Sequence, residues 1–166
     1  MLTIRPEMPQ DAAVIRTLTR TAFASAPVSA GTEAAIIDAL RDAGALALSL
    51  VATEEGEIVG HVAFSPVHID AAAGDWFGIG PISVRPDRQR AGIGSALMRE
   101  GLRQIRERGA AGCVLVGDPA YYSRFGFVHD PELRLDDVPP PYLQRLAFHD
   151  ALPKGEVSFH EAFAVD

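Results

Sequence analysis

Apolar positions along this chain recur with two periods, about two residues in some stretches and about 3.6 in others, and their succession outlines alternating strands and helices. Leu2-Thr3-Ile4-Arg5 alternates apolar and polar and stops at Pro6, which predicts a short edge strand. From Asp11 to about Ala24, Val14, Leu18 and Ala22 share one helical face with Ile15 beside them, and Pro27 ends the helix. A second helix is predicted over Glu33 to Ala43. Thr32 is its N-cap, Ile36, Ile37 and Leu40 its apolar face, and Gly44 its stop. These two helices are placed to flank a cleft. Leu46 to Thr53 and Ile58 to Ser65 read as antiparallel strands joined through Glu54-Glu55-Gly56-Glu57. Gly60 inside the second strand marks a bulge or a close approach. Pro66 is expected to interrupt it, with pairing resuming over Val67-His68-Ile69-Asp70 before a loop from Ala71 to Asp75. Trp76 to Val84 is the next strand, and Gly78, Gly80 and Pro81 within it predict irregular backbone whose main-chain groups are left for a ligand.

Further on, Ile93, Leu97, Leu102 and Ile105 form a stripe opposite Arg99, Arg103, Arg106 and Glu107, an amphipathic helix that Gly109 ends. Cys113 to Gly117 is continuously apolar, as in a strand buried on both faces. Strand, turn, helix and strand make a βαβ unit, so Trp76–Val84 and Cys113–Gly117 should be parallel neighbours. Asp118 caps a short helix through about Phe125, and Gly126 terminates it. In the tail, Leu143 to Phe148 and Val157 to Phe159 are predicted to pair with each other around Pro153-Lys154-Gly155. The fold class is therefore α/β, a mixed α+β sheet around a parallel βαβ core with flanking helices. One domain is expected over residues 1–166, with its core over about 1–127 and a strand-rich extension over 128–166.

Composition narrows the setting. The chain is 48% apolar and 22% charged, in the soluble globular class, and no apolar run reaches the ~18 residues a membrane span requires. The first residues lack a basic segment followed by an apolar one, so a cytoplasmic protein is expected, without a membrane partner. A net charge of −7 disfavours nucleic acid as a partner. Arginines nonetheless cluster between Arg85 and Arg108, giving a local basic patch suited to a small anion, although for the helix arginines a solvated face is the simpler reading. Cys113 is the one cysteine, which excludes intrachain disulfides and cysteine-based zinc sites and suits a buried small residue.

The chemistry concentrates between Arg85 and Leu97. Gly92 and Gly94 admit a ligand close to the backbone, and the first amides of the following helix lack intrahelical partners. With the helix dipole they make an anion site, and Arg88 and Arg90 add charge at its rim. A nucleoside triphosphate loop would need Gly-Lys-Ser/Thr, but Ser95-Ala96 follows Gly94. A dinucleotide site gains from Gly92-x-Gly94 and from Asp118 at the end of the next strand. It is disfavoured by Leu97 at the third glycine position and by the polar turn separating Val84 from Gly92.

The remaining option is the pyrophosphate of coenzyme A. Gln89-Arg90-Ala91-Gly92-Ile93-Gly94 resembles the Gln/Arg-x-x-Gly-x-Gly/Ala signature of the GNAT family of N-acetyltransferases, preceded by Ile82-Ser83-Val84-Arg85-Pro86 in the expected place. Tyr122-Ser123-Arg124-Phe125-Gly126-Phe127 is similar to the family's Tyr-x-x-x-Gly-Phe segment. Gly117-Asp118-Pro119-Ala120-Tyr121-Tyr122 resembles the YhbS-like branch. The resemblance implies a GNAT fold and transfer of an acetyl group from acetyl-CoA to a primary amine, without a metal. The implied cofactor-binding set is Ile82, Ser83, Val84, Gln89, Arg90, Ala91, Gly92, Ile93, Gly94, Ser95 and Asp118. In the family the main chain of Ile82 and Val84 would hold the pantetheine arm, amides from Arg90 to Ser95 the pyrophosphate, and Tyr122 would protonate the departing thiolate. Tyr121 is assigned to packing. Many relatives carry a glutamate in the strand before the turn, but Trp76–Val84 contains no acid. Asp75, at its start, is too far from the acetyl group. His61 and His68 on the preceding strands read first as structural, and a water relay is the alternative, so no base is assigned. Glu33 is either a contact for the substrate amine or part of a helix N-terminal turn. The acceptor is a small-molecule or protein amine, and a homodimer is a possible assembly. The rival readings are a non-catalytic acyl-CoA-binding or sensing module and a dinucleotide-binding oxidoreductase subunit.

Overall fold

A computed structural model describes residues 1–24, 29 and 31–165. Its strands are β1 (Leu2–Pro6), β2 (Leu48–Glu54), β3 (Glu57–Ala71), β4 (Trp76–Val84), β5 (Gly112–Val116), β6 (Val128–His129), β7 (Leu133–Arg134), β8 (Leu143–Ala147) and β9 (Lys154–Ser158). The helices are α1 (Ala12–Phe23), α2 (Glu33–Asp42), α3 (Ile93–Glu107) and α4 (Pro119–Tyr122). The sheet runs β1-β2-β3-β4-β5-β8-β6, with β9 joining β3 and carrying β7. Only β4–β5 within that main path is parallel, joined through the α3 crossover that the βαβ reading requires. Glu55 and Gly56 both take positive φ in the β2–β3 turn, at 52° and 81°, the twisted hairpin geometry that matches strand twist.

The two sheet faces carry different helices. A Cβ on Gly60 would lie 2.9 Å from Ile93 and 3.0 Å from Leu97, so this glycine marks the close approach of α3. On the next row, His61 and its cross-strand partner Ser83 face the other way, where the Ser83 hydroxyl donates to Thr19 of α1. The main core lies beneath α3 and includes Phe64, Leu97, Met98, Ile105 and Phe127. On the opposite face Ile15, Ile37 and Val51 pack together. An ion chain ties that side: Arg16 holds Asp38 at 2.7 Å, and Arg41 holds both Asp38 at 3.0 Å and Glu7 at 2.9 Å.

Several expectations are corrected. Val14 is 47% exposed, and the inner face of α1 is Ile15, Leu18 and Thr19. A buried threonine is accommodated because its hydroxyl donates to the Ile15 carbonyl at 2.8 Å. Pro66 does not interrupt β3 but pairs in register with Phe77. On its other edge β2 has ended at Leu48↔Phe64 and β9 begins only at His68↔Ser158, so the missing N–H breaks no ladder bond. The tail strands do not pair with each other. β8 extends the sheet from β5, with Gly112↔Ala147 through Val116↔Leu143, and β9 lines the outer half of β3. They converge only through a cluster containing both Leu143 and Val157. The proposed helix stop at Pro27 lies outside the described residues.

Candidate active site

The parallel pair β4–β5 lasts for three residues, Trp76↔Gly112, Phe77↔Cys113 and Gly78↔Val114, and then the strands part. At the fork, Gly80 takes φ 133° ahead of Pro81, a conformation glycine adopts freely. The Arg85 N–H bonds to Val59 of β3 at 2.8 Å. Alternation along the strand therefore turns the main-chain groups of Ser83 toward β3 and those of Ile82 and Val84 toward the open edge. One of these is already engaged, since the Gln89 amide donates to the Val84 carbonyl at 3.2 Å. Ser83 contributes no side chain to this edge, because it is buried against α1.

Beyond β4 a 3-10 turn over Pro86–Arg88 leads into the glycine turn and α3. Gly92 is the N-cap of α3 at φ 85°, and Arg90 also takes a positive φ, 65°. A left-handed arginine costs about 1–2 kcal/mol. The amides of Ile93, Gly94 and Ser95, in the first turn, have no intrahelical acceptor and point out of the helix N-terminus. Ala91 is exposed and adds no side-chain barrier there. Arg88 does not supply free charge at this rim, because Glu54 holds it through two bonds of 2.6 and 2.7 Å.

Between the parted strands lies a cleft of about 520 Å³, lined among others by Glu33 and Ile36 of α2, Ile79 to Ile82 of β4, Val116, Tyr122 and Phe163. Glu33 and Tyr122 are the titratable groups among the lining residues. Burial, reinforced by neighbouring Tyr121 and the Asp118 carboxylate, pushes the Tyr122 phenol up to about 12, so it is a proton donor throughout the neutral range. Its ring lies over Gly117, where a Cβ would come within 2.4 Å. Glu33 accepts a 2.6 Å hydrogen bond from Ser29.

The histidines and Asp75 lie elsewhere. His61 is fully buried between the sheet and α1 and α2. Its Nε2 lies 2.7 Å from the Ser49 hydroxyl, and burial drives its pKa down to about 4, against the attraction of Glu7. His68 is exposed and 3.8 Å from Asp70. Asp75 precedes the closed end of the β4–β5 pair, where its carbonyl accepts from Ala111. Asp118 is exposed and caps α4 by accepting from the Ala120 N–H at 2.9 Å. Cys113 is buried, which raises its thiol above the usual range.

Two residues beside the site were not legible as part of it. The Tyr121 hydroxyl lies 3.2 Å from the Ser95 hydroxyl in the first turn of α3, and the Arg124 guanidinium stacks on the Tyr121 ring at 4.3 Å. Tyr121 therefore does more than pack. Helical spacing could show that it points away from Tyr122, but not that α4 lies against the N-terminus of α3.

The acetyltransferase (GNAT) family matches residues 13–127. The N-acetyltransferase YhbS of Escherichia coli K12 is 39% identical over 167 aligned residues, 96% of this chain and 97% of the relative. Among solved structures, a GNAT family acetyltransferase from Brucella melitensis in complex with acetyl-CoA is 51% identical, covers 98% of both chains and superposes with a TM-score of 0.87. The Escherichia coli YhbS structure in complex with CoA is 35% identical over 99% of this chain and 92% of that one, with a TM-score of 0.89. With a family match over most of its length and a close relative along nearly all of it, this chain belongs to the GNAT family of acetyltransferases.

Proposed function

We propose that the chain transfers the acetyl group of acetyl-CoA to a primary amine, carried by a small molecule or a protein, by direct attack. The observation that carries this reading is the cleft between the parted strands, which has a carboxylate on one wall and a protonated phenol on another. The residues fit the coenzyme. A glycine-capped helix N-terminus suits its pyrophosphate, and the open edge of β4 suits its amide-bearing arm. The Brucella melitensis and Escherichia coli structures with acetyl-CoA and CoA support the same assignment.

Bound there, acetyl-CoA supplies the thioester that the amine attacks. The amides of Ile93, Gly94 and Ser95 hold phosphate oxygens, while Ile82 and the Val84 N–H hold the arm along β4. Gln89 keeps the Val84 carbonyl occupied and so fixes which groups of that edge are offered. Glu33, directly or through one water, takes the proton that the amine sheds. Tyr122, whose phenol is protonated at neutral pH and held so more firmly by burial, gives its proton to the departing thiolate.

The test is thiol release from acetyl-CoA with a panel of primary amines, alongside calorimetric binding of coenzyme A. Tyr122→Phe is expected to lower kcat by about 10²-fold or more with Kd unchanged, the scale of a positioned acid. Glu33→Gln is expected to lower kcat with the coenzyme A Kd unchanged. A full rate in Tyr122→Phe would remove the tyrosine from the acid role. Tight coenzyme binding with no amine turned over would favour a sensing module instead.

A further inference from the structure

We infer that Tyr121, held by Arg124, is a ligand for the coenzyme's pyrophosphate and forms a second wall of that site across from the first turn of α3. The inference rests on the acetyl-CoA reading above and extends it to residues on α4 and the turn that follows. Its basis is the contact between the Tyr121 and Ser95 hydroxyls, 3.2 Å apart. The same Tyr121 oxygen would lie 3.4 Å from a Cβ on Gly94, so the phenol is packed directly against the helix N-terminus. Two hydroxyls that share one hydrogen bond use one of their two protons and keep the other. At a helix N-terminus that second proton lies beside unpartnered amides in a field that favours negative charge. An anionic oxygen satisfies the amides and the spare O–H together.

Arg124 makes this wall positive. Its Nε donates to the Tyr121 carbonyl at 2.9 Å, and its guanidinium lies 4.3 Å from the Tyr121 ring centre, which fixes the ring and leaves both terminal nitrogens to face solvent or ligand. Among the described residues Arg124 has no carboxylate partner, whereas Arg88 is clamped by Glu54. With Arg90 of the glycine turn, which is exposed, Arg124 thus puts charge on both sides of the phosphates, and α4 supplies the side facing the first turn of α3. Adjacent tyrosines then divide the work: Tyr122 faces the cleft, and Tyr121, edge-on to it at 4.9 Å and 89°, faces the anion site.

The experiment measures calorimetric Kd for coenzyme A on the full chain, together with kcat/KM for acetyl-CoA and for S-acetylpantetheine, which lacks the pyrophosphate. Tyr121→Phe is expected to raise the coenzyme A Kd about tenfold or more, the effect of losing a hydrogen bond to a charged group. It should lower kcat/KM for acetyl-CoA in proportion and leave S-acetylpantetheine turnover unchanged. Arg124→Gln should also weaken coenzyme A and reduce the salt dependence of its binding. An unchanged Kd in Tyr121→Phe overturns the inference, as does an equal loss with both thioesters, which would mark damage to Tyr122. If the unsubstituted chain itself fails to bind coenzyme A, the reading beneath has failed instead.

Discussion

His61 is fully buried, yet it is a polar group at the centre of the sheet. Its Nε2 meets the Ser49 hydroxyl, which in turn donates to Glu7 through a very short contact. Burial pushes Glu7 up, but hydrogen bonds from Arg41 and Ser49 outweigh it and leave the carboxylate below its ordinary range. Its charge does not rescue an imidazolium, since burial dominates and depresses His61 to about 4. The unfolded chain, with a histidine near pH 6.5, binds a proton that the folded one refuses, so stability is present above about pH 6.5 and is lost as pH falls toward 4. The loss attributable to this group is on the order of 3 kcal/mol across that window. Urea midpoints at pH 7 and pH 4.5 should therefore fall further in the native chain than in His61→Gln. Equal falls would show that another group carries the acid sensitivity. A structural place for His61 was the favoured reading of the sequence, but its partners Ser49 and Glu7 were not legible, because a histidine in a strand reads the same on either face until the helices over it are placed.

Between elements, α3 meets the sheet through two glycines rather than through a mesh of long side chains. Gly60 of β3 yields to Ile93 and Leu97, and Gly101 of α3 yields to Phe64, whose ring atoms would lie 2.5 and 2.6 Å from a Cβ there. Alanine at position 101 would gain about 1 kcal/mol in helix propensity, but forcing a methyl into a closed core costs about 1–3 kcal/mol. Packing wins because Phe64 is fully buried and has nowhere to swing. Gly101→Ala should lower Tm by a few degrees on calorimetry, at about 2–4 °C per kcal/mol for a chain of this size. A rise in Tm would mean that the ring relaxes freely. The elements themselves, including the amphipathic α3, the Glu55-Gly56 hairpin and the Gly126 helix stop, were legible because each is dictated by neighbours within a few residues. The partners of β8 and β9 were not. Either tail strand satisfies its own alternation beside any open edge, and the choice depends on β5 and the second half of β3 offering edges far away in sequence. For the same reason the glycine turn and Tyr122 could be picked out from local motifs, while Glu33 entered the cleft only once α2 was folded against β4.

Across the molecule, residues after 127 complete what the earlier part begins. β8 satisfies the outer edge of β5, β9 satisfies the far half of β3, and Leu133, Leu143 and Val157 cover Trp76 and Val114. A chain ending at residue 127 should therefore expose an unpaired, apolar edge of the kind that aggregates. Gel filtration and near-ultraviolet dichroism should find it aggregated or without fixed side-chain packing. A soluble, cooperatively melting fragment would show that the first 127 residues suffice. Among the described residues no helix is long and apolar enough to cross a membrane. The three ladder pairs from Trp76↔Gly112 to Gly78↔Val114 also have a mechanical meaning. They are the seam between a half-sheet of β1 to β4 and a half-sheet of β5, β8 and β6, and the seam is closed at one end only. Its closed end is held where Trp76 and Val114 sit in packed apolar surroundings, and its open end lies toward Ile82 and Val116, which both line the cleft. A molecule lodged along β4 would lie between the two half-sheets, in the cleft that Glu33 and Tyr122 both line.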